Sequence, residues 1–118
     1  MSFNFNNETP IYLQIIEDIK LQIINKTYTL GDKLPSVREL SLIYGVNPNT
    51  VMKALCELEE IGLIYTERTN GKYVTQDLEV VNKVKSQTVN AMIEKFFKSM
   101  EDLGLDKKEI INELTNKE

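Results

Sequence analysis

The chain has 118 residues, 42% apolar and 27% charged, which suits one small domain with a soluble surface, or a domain with an appendage. With no histidine and a single cysteine it excludes Ser-His-Asp and Cys-His catalysis, internal disulfides, Cys-rich metal sites and the usual zinc sets. A net charge of −4, from 14 basic and 18 acidic residues, excludes a generally basic surface, so any contact with nucleic acid must rest on local segregation of charge.

Residues 1–8 read as a loose lead-in with repeated Asn. Thr9 and Pro10 then stand in N-cap and first-turn order for a helix. Ile11, Ile15, Ile19 and Ile23, with Tyr12 and Ile16 beside them, form an apolar stripe of helical period to about Lys26. Ser36 and Glu39 make an S-x-x-E capping box for a second helix over Val37 to Tyr44, with Val37, Leu40 and Ile43 or Tyr44 facing inward. Gly45 suits the left-handed stop of that helix. Asn47 is a good N-cap and Pro48 a good first residue for a third helix. That helix runs to about Ile61 with Val51, Ala54, Leu55 and Leu58 on its core side, and Gly62 ends it. A small residue at Ser41, Gly at Gly45 and an apolar residue at Val51 is the spacing of a helix-turn-helix.

Leu63 to Thr66 and Lys72 to Thr75 are β-prone runs around Arg68-Thr69-Asn70-Gly71, which predicts a hairpin with a type I′-like turn. Three helices and a hairpin in this order form a winged helix-turn-helix over residues 9–76. Residues 79–118 contain no proline. Val81, Val84, Val89, Met92, Phe96, Met100 and Leu103 keep roughly helical spacing until Gly104. Asp106 and Glu109 then cap a short helix bearing Ile110, Ile111 and Leu114. The fold class expected is mainly α with a small β-hairpin: a winged helix-turn-helix followed by a C-terminal two-helix dimerisation hairpin. The longest charge-free stretch, Leu40 to Met52, is part polar and broken by Gly and Pro, so no membrane span is expected. The N-terminus lacks a basic cluster followed by an apolar run, so no secretory signal is expected and cytoplasmic residence is the default.

With its apolar side inward, helix three leaves Asn49, Thr50 and Lys53 exposed on its first turns. Their amide, hydroxyl and ammonium groups can bond base edges or phosphates, and the bare N–H groups of the helix start add an anion site. An ordinary capped surface helix would need only Asn47 as cap. Arg38, on the outer side of helix two, can reach a phosphate or a guanine; its plain alternative is a surface ion pair with Glu39 or Glu8. At the wing tip Gly71 permits close backbone approach to a duplex, and Arg68 and Lys72 bring charge, although a tight turn alone would also select Asn-Gly. Cys56 is expected to be a small buried hydrophobe rather than a redox sensor. Phe96, Phe97 and Met100 could line a pocket, but a helix–helix contact is the commoner use of such a stripe. No nucleophile–base pair or phosphate loop is readable, so no enzyme, cofactor or metal site is expected.

The chain resembles the GntR family of bacterial transcription regulators over about residues 9–76. The resemblance is carried by Gly31, Leu34-Pro35-Ser36-x-Arg38-x-Leu40, Val46-Asn47-x-x-Thr50-Val51-x-x-Ala54-Leu55-x-x-Leu58-Glu59-x-x-Gly62-Leu63-Ile64 and Gly71-x-Tyr73-Val74. Its short helical tail is similar to that of the YtrA-like subfamily, whose members lack the large effector domains of other branches. The resemblance implies operator contacts by Arg38, by Asn47, Pro48, Asn49 and Thr50, and by the wing glycine Gly71, with Pro48 standing where the family often has a basic residue; Ser36, beside Arg38, is counted with the expected DNA-binding set. It also implies a homodimeric repressor, often of an ABC-transporter operon, with any small-molecule effector unidentified.

The expected partners are therefore double-stranded operator DNA and a second copy of the chain. The long helix carries Val81, Val84, Met92, Phe96 and Met100, more apolar surface than the short helix can cover, so a two-fold dimer on an inverted repeat is expected. The alternative is a winged helix that contacts another protein without binding an operator, which the acidic balance favours.

Overall fold

The computed structural model describes residues 3–116. These form α1 (Ile11–Ile24), α2 (Val37–Tyr44), α3 (Pro48–Glu60), β1 (Ile64–Glu67), β2 (Gly71–Val74), α4 (Leu78–Asp102) and α5 (Lys107–Thr115). They divide into two compact units, the first reaching Asn82 and the second starting at Lys83, so the division falls within α4. The first unit also takes in the lead-in before α1 and the first turn of α4.

The first unit is built on α1 and α3, which pack together, with α2 also packed on α3. Ile15, Ile16, Ile19 and Ile23 of α1, Leu40 and Tyr44 of α2, and Val51, Ala54, Leu55 and Leu58 of α3 are all buried. Leu34, Leu63, Ile64 and Val74 extend this core to the hairpin. Ile11, expected at the head of the α1 stripe, is exposed, and Tyr44 takes the inward position left open between it and Ile43. Tyr44 is held there by donating its hydroxyl to Asp18 Oδ2 at 2.6 Å. Burial together with the Asp18 carboxylate pushes the Tyr44 phenol well above its ordinary range, so it remains a hydrogen-bond donor at all physiological pH.

The α1 start differs from the sequence expectation. Pro10, not Thr9, occupies the N-cap, and no side chain caps it. The lead-in is instead tied to the first turns of α1 by Gln14, whose Nε2 donates to the carbonyls of Asn6 and Thr9 at 3.0 and 2.9 Å and whose Oε1 accepts the Asn6 N–H at 2.9 Å. The rings of Phe3 and Phe5 meet edge to face, and Phe3 meets Tyr44 the same way at 5.4 Å between centroids. Residues 3–8 are therefore fastened rather than loose; residues 1 and 2 lie outside the described residues.

The other helix ends follow their sequence signals. Ser36 Oγ accepts the Glu39 N–H at 3.0 Å and Glu39 Oε1 accepts the Ser36 N–H at 2.8 Å, which closes the capping box. That backbone bond holds the Glu39 carboxyl below its usual range. Gly45 has φ of 68°, a left-handed turn that lets the chain leave α2 and reach Asn47, the cap of α3, within two residues. Asp106 and Glu109 form the second capping box at α5. α4 stops at Gly104, where Leu105 N–H donates to the Met100 carbonyl and Gly104 N–H to that of Glu101.

β1 and β2 pair antiparallel, Ile64 opposite Val74 and Glu67 opposite Gly71. The turn is not type I′: Lys26 is the one non-glycine residue with positive φ among the described residues, so Asn70 lacks the required angle. Arg68, Thr69 and Asn70 form the link, Asn70 N–H donates to the Glu67 carbonyl, and Gly71 alone adopts positive φ, at 104°. A third extended segment, unmarked by any motif, joins the hairpin. Leu34 N–H donates to the Lys72 carbonyl and Val74 N–H to that of Asp32, both at 2.8 Å, so the segment from Asp32 to Leu34 lies along β2.

Replacing Ser36 with Ala removes the acceptor for the Glu39 N–H and opens the capping box. Unfolding free energy should fall by about 1 kcal/mol, read from the shift in urea midpoint at unchanged slope.

Candidate nucleic-acid interface

Packing of α3 against α1 and α2 decides which of its side chains are free. Val51, Ala54, Leu55 and Leu58 are at most 1% exposed, which leaves Asn49 and Lys53 on the open side and Thr50 at its margin. Asn47 caps the helix through its Oδ1, which accepts the Asn49 N–H at 2.8 Å, while its amide nitrogen makes no hydrogen bond among the described residues. Pro48 has no N–H and sits in the first turn, where none is needed. The start of α3 thus presents amide, hydroxyl and ammonium groups, while the N–H groups expected to be bare are engaged, that of Asn49 by Asn47 Oδ1 and those of Thr50 and Val51 by the Asn47 carbonyl.

The structure brings Asn49, Thr50 and Lys53 together with two residues of α1, Ile11 and Tyr12, around a notch of about 400 Å³. The Lys53 ammonium lies 4.0 Å from the centroid of the Tyr12 ring. In the sequence Tyr12 is only a neighbour of the apolar stripe. Its periodicity puts it on the flank of that stripe, and only the crossing of α1 over α3 shows what the flank faces.

Arg38 is exposed on α2 and makes no ion pair among the described residues; neither Glu39, engaged in the capping box, nor Glu8 claims it. Ser36 uses its oxygen as an acceptor in the cap and retains its proton for donation. On the wing, Arg68 is exposed at the link between the strands, and Gly71 opens β2. Lys72 behaves differently. Its ammonium bonds Thr66 Oγ1 at 2.7 Å and pairs with Glu59 Oε1 at 3.3 Å, and its side chain is only 18% exposed. Lys72 therefore ties the wing to the end of α3 and does not project freely. Lys33 makes no ion pair among the described residues and lies beside the wing glycine, its Cε 3.5 Å from where a Cβ on Gly71 would sit. No sequence motif marks Lys33; it emerges only because its segment lies along β2.

The Thr66 hydroxyl, and after it Lys72, hold the Glu59 carboxyl below the usual carboxylate range. With the folded-state pKa depressed, this tie is complete above the unfolded-state value and is lost as pH falls through the folded-state value. Glu57, Glu59 and Glu60 all lie at the far end of α3 from its polar start. Cys56 is exposed, not buried as expected, because position 56 falls one residue past the inward pair Ala54 and Leu55.

In the C-terminal helices, Val81 and Val84 are each 7% exposed and so already covered within the chain, which removes them from the expected dimer face. Val89, Met92, Ile93 and Phe96 of α4 are exposed, as are Leu103, Ile111 and Leu114, and Met100 is half-buried. Phe97 meets Phe96 edge to face at 5.9 Å, a contact within the helix. Among the described residues no group of three or more His, Cys, Asp or Glu side chains could hold a metal ion, and no helix is long and apolar enough to cross a membrane.

The profile of the bacterial regulatory proteins of the gntR family matches residues 11–74. The HTH-type transcriptional regulator YhcF of Bacillus subtilis is 38% identical over 111 residues, covering 94% of this chain and 92% of that protein. The HTH-type transcriptional repressor YtrA of the same organism is 39% identical over 101 residues, covering 80% and 78%. Among solved structures, a GntR family transcriptional regulator from Listeria monocytogenes superposes with a TM-score of 0.88 at 40% identity, covering 97% of this chain and all of that one. The DNA-binding domain of AraR, solved in complex with operator ORX1, matches with a TM-score of 0.58 at 26% identity over 64% of this chain and 95% of its own.

Arg38→Ala and Lys53→Ala should leave folding intact, because neither side chain enters the core. Each should weaken DNA binding by fluorescence anisotropy. Loss of a base contact costs about 1–3 kcal/mol and relaxes preference at one position, whereas loss of a phosphate contact weakens all sequences and lowers the salt slope by about 1. Wild-type binding by both variants would show that the DNA-facing side is elsewhere.

Proposed function

The chain belongs to the GntR family of bacterial regulatory proteins and is a DNA-binding transcription regulator of winged-helix fold; from this we propose that it is a cytoplasmic homodimeric repressor that binds an inverted-repeat operator. The observation that carries the reading is the start of α3, where polar and cationic groups stand exposed while the opposite side of the same helix is sealed in the core. In the proposal α3 enters the major groove, with Asn47, Pro48, Asn49, Thr50 and Lys53 at its leading end and Arg38 and Ser36 on the rim. Arg68 and Gly71 of the wing meet the backbone or minor groove, with Lys72 holding the wing in place rather than making the main contact. Operator complexes of AraR and the repressor role named for YtrA support this reading. By the same likeness to YtrA-like regulators, the regulated genes are proposed to include an ABC-transporter operon. No catalytic role or cofactor is proposed.

The dimer rests on the apolar side of α4. Val89, Met92, Phe96 and Leu103 recur at spacings of three, four and seven, with Ile93 alongside, and all are at least 41% exposed. Apolar surface left in water costs about 25 cal/mol per Å², so a second copy that covers this stripe stabilises both. A two-fold pair would place two α3 helices on half-sites about one helical turn, or a multiple, apart.

A second reading, a winged helix that binds another protein, has the net charge of −4 in its favour. The two part on salt. Operator binding should weaken steeply as salt rises, and selection of bound genomic fragments should return an inverted repeat and name the regulated genes. Failure to enrich any sequence would sink the repressor reading. For the dimer, Met92→Glu with Phe96→Glu places charge in the stripe without touching the core of the first unit. The double variant should sediment as a monomer and bind the operator at least ~100-fold more weakly, because the two half-sites are no longer bound by a linked pair.

A further inference from the structure

We propose that Tyr12 is a positioning residue for DNA binding: its ring holds the Lys53 ammonium at the mouth of the α1–α3 notch, facing a backbone phosphate. The inference rests on the DNA-binding reading given above and adds a residue from outside the helix-turn-helix to it.

Lys53 faces a choice of partners. Glu57 stands four residues later on the same helix, a spacing at which lysine and glutamate side chains can pair. Lys53 instead reaches Tyr12, with Nζ 4.0 Å from the ring centroid, and makes no ion pair among the described residues. The two alternatives differ in what they leave for a ligand. A carboxylate partner would neutralise the ammonium and repel a phosphate. An aromatic face attracts the cation through its quadrupole and carries no net charge, so it orients Lys53 without consuming its positive charge. It also restricts a long flexible side chain before DNA arrives, which lowers the ordering cost of binding.

The surroundings fit an anionic occupant. The notch of about 400 Å³ is lined by Asn49 and Thr50 as well as Lys53, so amide, hydroxyl and ammonium groups share one concavity at the positive end of the α3 dipole. Ile11, half exposed, forms its apolar side. A sugar–phosphate ridge offers the matching chemistry, with phosphate oxygens for the polar wall and a deoxyribose for the apolar one.

The test uses the full-length protein and a short fluorescein-labelled mixed-sequence duplex at low salt, since a phosphate contact serves every sequence. Tyr12→Leu should weaken binding about two- to fivefold, the range an exposed cation–π contact supplies. Tyr12→Phe should bind like wild type, because the ring is kept. In a Lys53→Met background, Tyr12→Leu should have no further effect. Circular dichroism establishes that each variant is folded. Should Tyr12→Leu fail that check, pentafluorophenylalanine at position 12 keeps the ring's shape, reverses its quadrupole and should reproduce the loss. The inference is overturned if Tyr12→Phe binds as weakly as Tyr12→Leu, if the leucine and Lys53→Met effects add, or if the fluorinated ring binds like Phe. If the wild-type protein shows no salt-dependent binding to any duplex, the DNA reading itself fails and takes the inference with it.

Discussion

Everything that this fold can present to a ligand depends on the packing of α1 against α3. Ala54, in the middle of α3, is fully buried, and a side chain that small allows two helices to approach closely. With Ile15, Ile16, Ile19 and Ile23 on one side and Val51, Leu55 and Leu58 on the other, the rotation of α3 about its own axis is fixed. Only that rotation makes Asn49 and Lys53 outward residues. The Gly45 turn and the Asn47 cap then set where the helix begins, and so which polar side chains stand at its leading end. The core therefore acts as the positioning device for the polar end of α3.

An acidic chain that binds DNA is less paradoxical once its charges are sorted by what they touch. Two lysines of the first unit are engaged with carboxylates, Lys20 with Glu17 and Lys72 with Glu59. Arg38, Lys53 and Arg68 are exposed without such partners among the described residues. The acids at the C-terminal end of α3 lie three helical turns from its start, roughly 16 Å at the standard pitch and beyond a Debye length at physiological salt. Net charge averages over these positions, whereas a phosphate near Asn47 meets mainly the local field.

How much of this was legible in the sequence varies with the range of the interaction. Capping boxes at Ser36–Glu39 and Asp106–Glu109, the Asn47 cap and the inward set of α3 follow from bonds spanning a few residues, and all four are seen in the structure. The misreadings lie where distant segments meet. Thr9 looks like a cap, but its N–H and carbonyl are bonded to Asn6 and Gln14 and Pro10 holds the cap position. Asn70-Gly71 looks like a type I′ pair until the register puts Gly71 opposite Glu67 and three residues in the link. Lys72 looks free because its partner Glu59 is 13 residues away. Cys56 was misplaced for a local reason, since position 56 adjoins the buried face without belonging to it.

The change of character along α4 carries the last step. Over its first two turns the helix places Val81 and Val84 under cover within the chain, as an ordinary core helix would. From Val89 onward the same periodicity continues but the cover ends, and Met92, Ile93 and Phe96 are open. A sequence selected only to fold this chain would turn polar on that face after Val84, because each open apolar residue costs free energy and solubility. The stripe instead persists for about four turns, or roughly 21 Å from Val89 to Asp102. Periodicity alone cannot locate that change, because buried and open parts of one helix share the same repeat. The sequence could therefore show that a stripe exists, whereas only burial shows which part of it is available to a second copy.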